Sequence, residues 1–246
     1  MITRFANPQR FVALAKWLSP MLGLGALFCL TLGLWQALIA SPGDVEHGQT
    51  IRILYVHVPA AWAAMGAYTG IAIASLISFV WRHPLADLAA RGLAIPGTAF
   101  TALALATGAL WGKPDWGTYW QWDGRMTSVL ILLFIYIGYL AVWRVVSDRR
   151  RASRLAAILA MVGWINIPII KFSVDWWNSL HQPATLSSFG APGIATEFLI
   201  PWMLMAFGYL FLLGWLTIRN MLAEIAVQRA RRSPKATTTT RMEAMG

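Results

Sequence analysis

Residues 92–111 read GLAIPGTAFTALALATGALW, residues 112–126 read GKPDWGTYWQWDGRM, and residues 127–146 read TSVLILLFIYIGYLAVWRVV. Two apolar blocks of about twenty residues, the length that crosses a bilayer as a helix, enclose a short polar stretch. That stretch carries Trp116, Tyr119, Trp120 and Trp122, with Trp111 at its threshold. Working outward, blocks of the same kind occupy about 18–40, 58–80, 155–174 and 197–218. Hydrocarbon offers no water to unpaired backbone N–H and C=O groups, so only helices and closed barrels span it, and the period-two alternation of barrel strands is absent here. The fold class is therefore an all-α integral membrane protein with six transmembrane helices. The composition agrees: the 246 residues are 58% hydrophobic and 12% charged, about half the charge of an ordinary soluble domain.

The net charge of +10 is explained by placement rather than by nucleic acid. Arg4, Arg10 and Lys16 precede the first block; Arg82 and Arg91 lie in the second connection; Arg144, Arg149, Arg150, Arg151 and Arg154 fill the fourth. Arg219, Arg229, Arg231, Arg232, Lys235 and Arg241 follow the last block. Only Arg52, Lys113, Arg125 and Lys171 of the 20 basic residues fall on the other side. The positive-inside rule then places both termini in the cytoplasm and the Trp-rich loop outside, with some affinity of the basic side for anionic membrane lipid. The first block is long enough to span and has no convincing small-residue cleavage site, so it reads as a span. Cys29 is the single cysteine; it allows no internal disulfide and no Cys-x-x-Cys-His haem attachment. The expected organisation is one membrane domain over 1–232, with the last helix extending through Ala230, and a disordered tail over 233–246 with its run of four threonines.

Tryptophan and tyrosine favour the membrane interface, where the ring is apolar and its edge hydrogen-bonds. One or two rings per span end suffice for that. The Trp-rich stretch has more, with Asp123 and Arg125 set among them, and so suggests a platform for a large flat ligand. Two of the four histidines share this face with the platform. His57 stands in Leu54-Tyr-Val-His-Val-Pro-Ala-Ala-Trp62, and His181 follows Asp175-Trp176-Trp177-Asn-Ser-Leu180. A lone histidine at a span end is ordinarily an interfacial polar residue, and His47 and His83 are read that way. Two histidines flanked by aromatic rings beside this platform fit haem, which needs apolar faces, one or two axial ligands and donors for its propionates. Arg125, Lys113 or Arg52 could meet the propionates, while Asp123 would pair with Arg125 or orient the loop. Gly66/Gly70 and Gly108/Gly112 have the spacing of close helix packing. Asn166 and Pro168 predict a kink in the fifth span, with Asn166 bonding a freed carbonyl or a neighbouring helix.

The segment Trp116-Gly-Thr-Tyr-Trp-Gln-Trp-Asp-Gly-Arg-Met-Thr127 resembles the Trp-rich (WWD) motif of the haem-handling proteins of cytochrome c biogenesis. With His57-Val-Pro-Ala-Ala and Asp175-Trp-Trp-Asn-Ser-Leu-His-Gln-Pro-Ala184, the chain is similar over nearly its whole length to the haem exporter protein C (CcmC) family. Departures are Tyr119, where Trp is frequent, Asp115, where an apolar residue is usual, and Val129, where an acidic one often stands. The resemblance implies a non-enzymatic protein of the bacterial inner membrane that holds haem b transiently as cargo at the periplasmic face. His57 and His181 would be the axial ligands of the iron. Trp116, Trp120, Trp122 and Asp123 would form the platform, with Tyr119, Arg125, Trp111, Trp176 and Trp177 around it. It further implies delivery to the haem chaperone CcmE, in company with the ATP-binding-cassette subunits CcmA and CcmB and the small protein CcmD. The chain lacks a phosphate-loop motif, so ATP chemistry would belong to a partner. The competing readings are a membrane cytochrome or quinone oxidoreductase and a haem transporter. Cytochromes of that kind usually place paired histidines within helices, often with a second haem site across the membrane. A pore would need mid-membrane polar residues, which are few here, and no internal repeat is evident.

Overall fold

The computed structural model describes residues 7–44, 47–177, 179–181 and 196–232. Asn178, the 187–193 segment of the fifth loop, Pro183 and the tail beyond 232 lie outside the described residues. Among the described residues seven α-helices follow in order: α1 (Pro8–Trp35), α2 (Ile51–Trp81), α3 (Pro84–Trp116), α4 (Gly124–Val145), α5 (Arg149–Gly163), α6 (Asn166–Trp176) and α7 (Thr196–Arg232). A π-helical turn, Gln36–Ala40, continues α1. With α5 and α6 stacked end to end, the described residues contain six helical segments long and apolar enough to cross a membrane.

Local chemistry sets the helix ends. Asn7 caps α1, its side chain accepting from the Gln9 N–H at 2.8 Å, with Pro8 in the first turn where its missing N–H costs nothing. This Asn-Pro signal starts α1 ten residues before the apolar block does. Asp148 caps α5 through the Arg151 N–H at 2.7 Å. The third span was expected to end near 111, yet α3 runs on to Trp116. Its terminator is Gly117, which takes φ 78°, with its N–H bonded to the Lys113 carbonyl. The first five residues of the Trp-rich stretch are therefore helix, not loop.

Helices α2 and α3 pack on each other in the middle. Helix α7, with α1 behind it, lies on one side, and α4 with α5 and α6 on the other. The α2 stripe Ala60, Ala63, Ala64 and Ala67 is buried, so backbones approach closely, the usual source of cohesion where lipid supplies no hydrophobic drive. The buried Tyr136 hydroxyl is satisfied across helices, donating to the Ala64 carbonyl at 2.8 Å. The kink in the fifth span is present. Pro168 offers no N–H to the Trp164 carbonyl, which accepts instead from the Ile167 N–H at 2.9 Å. Asn166 Nδ2 donates to the Ser128 carbonyl of α4 at 2.8 Å, so the neighbouring helix is its partner.

The glycine expectation holds in part. A Cβ on Gly70 would press on Leu93 of α3, but one on Gly66 would meet nothing within 4 Å. Gly108 makes room for the His57 ring, and Gly112 for the Thr118 carbonyl and the Trp116 indole.

The two ends of the bundle differ in chemistry. At the Arg-rich end Glu224 of α7 receives Arg91 of α3 at 2.8 Å and Arg149 of α5 at 2.9 Å. Arg91 also lies 4.4 Å over the Trp143 ring. The opposite end carries His57, His181 and the Trp-rich segment.

Candidate functional site

Near the Trp-rich end a cavity of about 180 Å³ is lined by His57 of α2, Gly108 of α3, Arg125 of α4, Lys171 of α6 and His181 beyond it. Its walls are otherwise apolar, including Trp62, Met65, Leu105, Met126, Val129 and Ile170.

His57 sits two turns inside α2. Its Nδ1 faces the Ala104 carbonyl at 3.0 Å and the Thr107 hydroxyl at 3.2 Å. The carbonyl can only accept, so the ring proton belongs on Nδ1 and the lone pair on Nε2. Thr107 is held in turn by donating to the Leu103 carbonyl at 2.7 Å. Gly108 is what admits the ring: a Cβ there would stand 3.0 Å from His57 Cε1.

His181 is built the same way from different parts. Its Nδ1 lies 2.8 Å from Asp123 Oδ2, and Ser179 Oγ donates to that same oxygen at 2.6 Å. The other Asp123 oxygen accepts the Met126 N–H at 2.7 Å and caps α4. Burial tends to raise the Asp123 carboxyl, but the hydrogen bonds from His181, Ser179 and Met126 outweigh it and bring its pKa to about 2. At neutral pH it is a carboxylate that holds His181 in the Nδ1–H tautomer. Asp123 therefore orients a histidine. It makes no ion pair with Arg125, whose guanidinium instead reaches the Lys171 carbonyl at 3.5 Å. The Trp116 ring meets His181 edge-on with centroids 4.8 Å apart, and Gly112 leaves space for that indole.

The remaining sequence candidates take other positions. Trp120 and Trp122 meet edge to face at 5.3 Å; Trp122 is 76% exposed, and Trp120 Nε1 is buried with no partner among the described residues. Tyr119 is exposed, with Lys113 Nζ 5.4 Å from its ring centre. Trp176 and Trp177 are about half exposed, Trp177 lying against Gly124. Trp111 is buried and stacks on His47 at 4.9 Å. Of the three cations considered for propionates, Arg125 lines the cavity. Lys113 is spent on the Gly117 carbonyl at 3.1 Å and Arg52 on the Ser41 carbonyl at 3.4 Å.

Several contributors escaped the sequence reading. Trp62 lines the cavity and stacks on Trp202 of α7 at 6.2 Å; its place five residues after His57 was the available signal. Gly108 and Thr107, one turn of α3 beside His57, gave none beyond a common spacing. His47, read as a loop residue, bridges Asp44 at 3.1 Å and Asp115 at 3.4 Å. It thereby ties the loop between α1 and α2 to the end of α3 and gives the unusual Asp115 a partner.

A family model described as Heme exporter protein C matches residues 1–236. The Heme exporter protein C of Bradyrhizobium diazoefficiens is 50% identical over 226 residues, 92% of this chain and 86% of that protein. That of Escherichia coli K12 is 41% identical over 229 residues, 93% and 92%. A putative cytochrome c biosynthesis ccmC-like mitochondrial protein of Marchantia polymorpha is 44% identical over 187 residues, 76% and 79%.

Proposed function

The chain belongs to the haem exporter protein C family, and on that premise we propose that it holds haem at its Trp-rich end and hands it to the haem chaperone CcmE. Membership carries the broader role, haem export and cytochrome c maturation as a multi-pass subunit of a membrane complex. The reading offered here concerns the residues, the cargo and the hand-over.

The observation that carries it is the pairing of His57 and His181 in one apolar cavity, each with Nδ1 committed to an oxygen acceptor. A metal-binding imidazole needs its other nitrogen anchored in this way, because the anchor fixes ring orientation and tautomer and raises ligand basicity. The lone pair on each Nε2 is then the group offered to an iron. The haem, haem b in this reading, supplies the iron and the flat apolar ring. The chain's own residues do the rest. His57 and His181 ligate, Asp123 and Ser179 steer His181, and Ala104 and Thr107 steer His57. Trp116 packs beside His181, while Tyr119, Trp120 and Trp122, with Trp176 and Trp177, supply apolar surface around the rim. Arg125 and Lys171, at the cavity wall, suit the propionates. Trp111 serves by bracing the end of α3 on His47.

The cavity's 180 Å³ is well below the roughly 300–1,000 Å³ of pockets that engulf a small-molecule ligand. A macrocycle seated on these histidines would keep an edge outside, which suits a protein that must release what it binds. The charge distribution supports an inner-membrane placement with the Trp-rich end toward the periplasm. CcmA, CcmB and CcmD are the expected companions. The test mixes haem-loaded chain with purified CcmE. A stable complex that forms with haem and fails without it supports hand-over; equal association with and without haem refutes it.

A further inference from the structure

The α2–α3 turn and the start of α5, at the end of the bundle away from His57 and His181, enclose a groove of about 1370 Å³. Arg82 and His83 line it from one side, and Arg149, Arg150 and Arg154 from the other. Its two acids are already engaged. Asp87 accepts from the Ser153 hydroxyl at 2.8 Å, and Asp148 caps α5. Arg149 is shared with Glu224. Arg82, Arg150 and Arg154 have no carboxylate within ion-pair distance among the described residues. His83 Nδ1 accepts the Ala86 N–H at 3.3 Å, so its proton sits on Nε2 as a neutral donor.

A cluster of arginines is ordinarily a solvated face, and two further features distinguish this one. Arg82 holds φ 51°, the one positive φ outside glycine among the described residues. That position closes α2 in the left-handed conformation glycine favours. A cation is thus kept where the backbone would prefer none. The groove is also amphipathic: Phe79 and Ile158, one turn or so deeper along α2 and α5, line it and are 47% and 46% exposed. Cations above an apolar strip at a span end match a phosphate carried on an acyl chain. A free phosphate would make no use of the strip.

We infer that this groove binds the phosphate of an anionic lipid headgroup, with the acyl chain running down past Phe79 and Ile158. Basic pockets between helix ends are suited to such headgroups. The inference is independent of the haem site.

The test reconstitutes the full chain in nanodiscs of equimolar phosphatidylglycerol and phosphatidylcholine and counts retained lipid by native mass spectrometry after transfer to detergent. Wild type should retain the anionic lipid over the zwitterionic one by about tenfold or more. Arg82→Gly/Arg150→Gln/Arg154→Gln should lose that preference. Arg82→Gly should leave Tm unchanged or raised, because glycine fits φ 51°. Should the triple variant fold poorly, Arg150→Gln/Arg154→Gln, both at exposed positions, gives the same comparison. Equal retention by wild type and variants would overturn the assignment. Two added arms identify other occupants. Displacement of the lipid by inorganic phosphate would make the groove a soluble-anion site, and binding of polyglutamate in place of lipid would make it a protein dock. Either result would also overturn the lipid assignment.

Discussion

The His57 imidazole lies so close to Gly108 that a Cβ on that glycine would stand 3.0 Å from the ring's Cε1. The helix α3 thus leaves a gap the width of a methyl group, and a candidate haem ligand fills it. Gly108→Ala should push the ring off its Ala104 and Thr107 anchors, and second-shell disruption of this kind lowers metal affinity about 10–100-fold. Gly66→Ala, where a Cβ meets nothing within 4 Å, is the matched control. The Soret band should weaken in the first variant and persist in the second, while both keep a cooperative melt. Comparable haem loss in the two would show that Gly108 has no special relation to the site.

Asp123 and His181 form the second such relationship, at 2.8 Å. Asn at 123 still caps α4, but it presents an amide N–H₂ toward His181 and favours the tautomer that carries its proton on Nε2. Asp123→Asn should therefore weaken haem binding more than it weakens the fold, a pattern known from histidine–carboxylate pairs elsewhere. The pH dependence has a definite sign. The folded carboxyl sits at about 2, below the ordinary 3.8. Its stabilisation is complete above about pH 4 and disappears as pH falls through about 2. The Tm gap between wild type and Asp123→Asn should be constant from pH 5 to 7 and shrink on stronger acidification, as followed by thermal melts. A gap that widens as pH falls would contradict the depressed carboxyl.

Asn166 is the fastener of the broken fifth span. Asn166→Leu removes the cross-helix donor to the Ser128 carbonyl, which keeps only its bond within α4. Cross-helix hydrogen bonds in membranes are worth about 0.6–1.7 kcal/mol, so a loss of about 1 kcal/mol is expected in a reversible unfolding titration. A loss below about 0.3 kcal/mol would mean that Pro168 and packing alone set the kink.

Hydropathy made the six spans legible, because the bilayer imposes one length and one chemistry on every segment that crosses it. The ends were less legible. Gly112 and Pro114 look like breakers, but α3 continues through them until Gly117 supplies the left-handed cap. At the site, His57 and His181 could be named from their neighbours. Their anchoring could not, because Ala104 and Asp123 lie 47 and 58 residues away from them in the chain. The same holds for His47, whose bond to Asp115 and stacking on Trp111 exist only once loop one folds over α3. Sequence spacing reveals faces of one helix; pairs between helices need the packed bundle.

Visible spectroscopy of the purified chain beside His57→Ala and His181→Ala tests the central claim, that these two imidazoles from separate elements ligate one haem. The account predicts a Soret band in wild type that weakens or shifts in each single variant, with Tm little changed. Two variants whose spectra and haem content match wild type would contradict it.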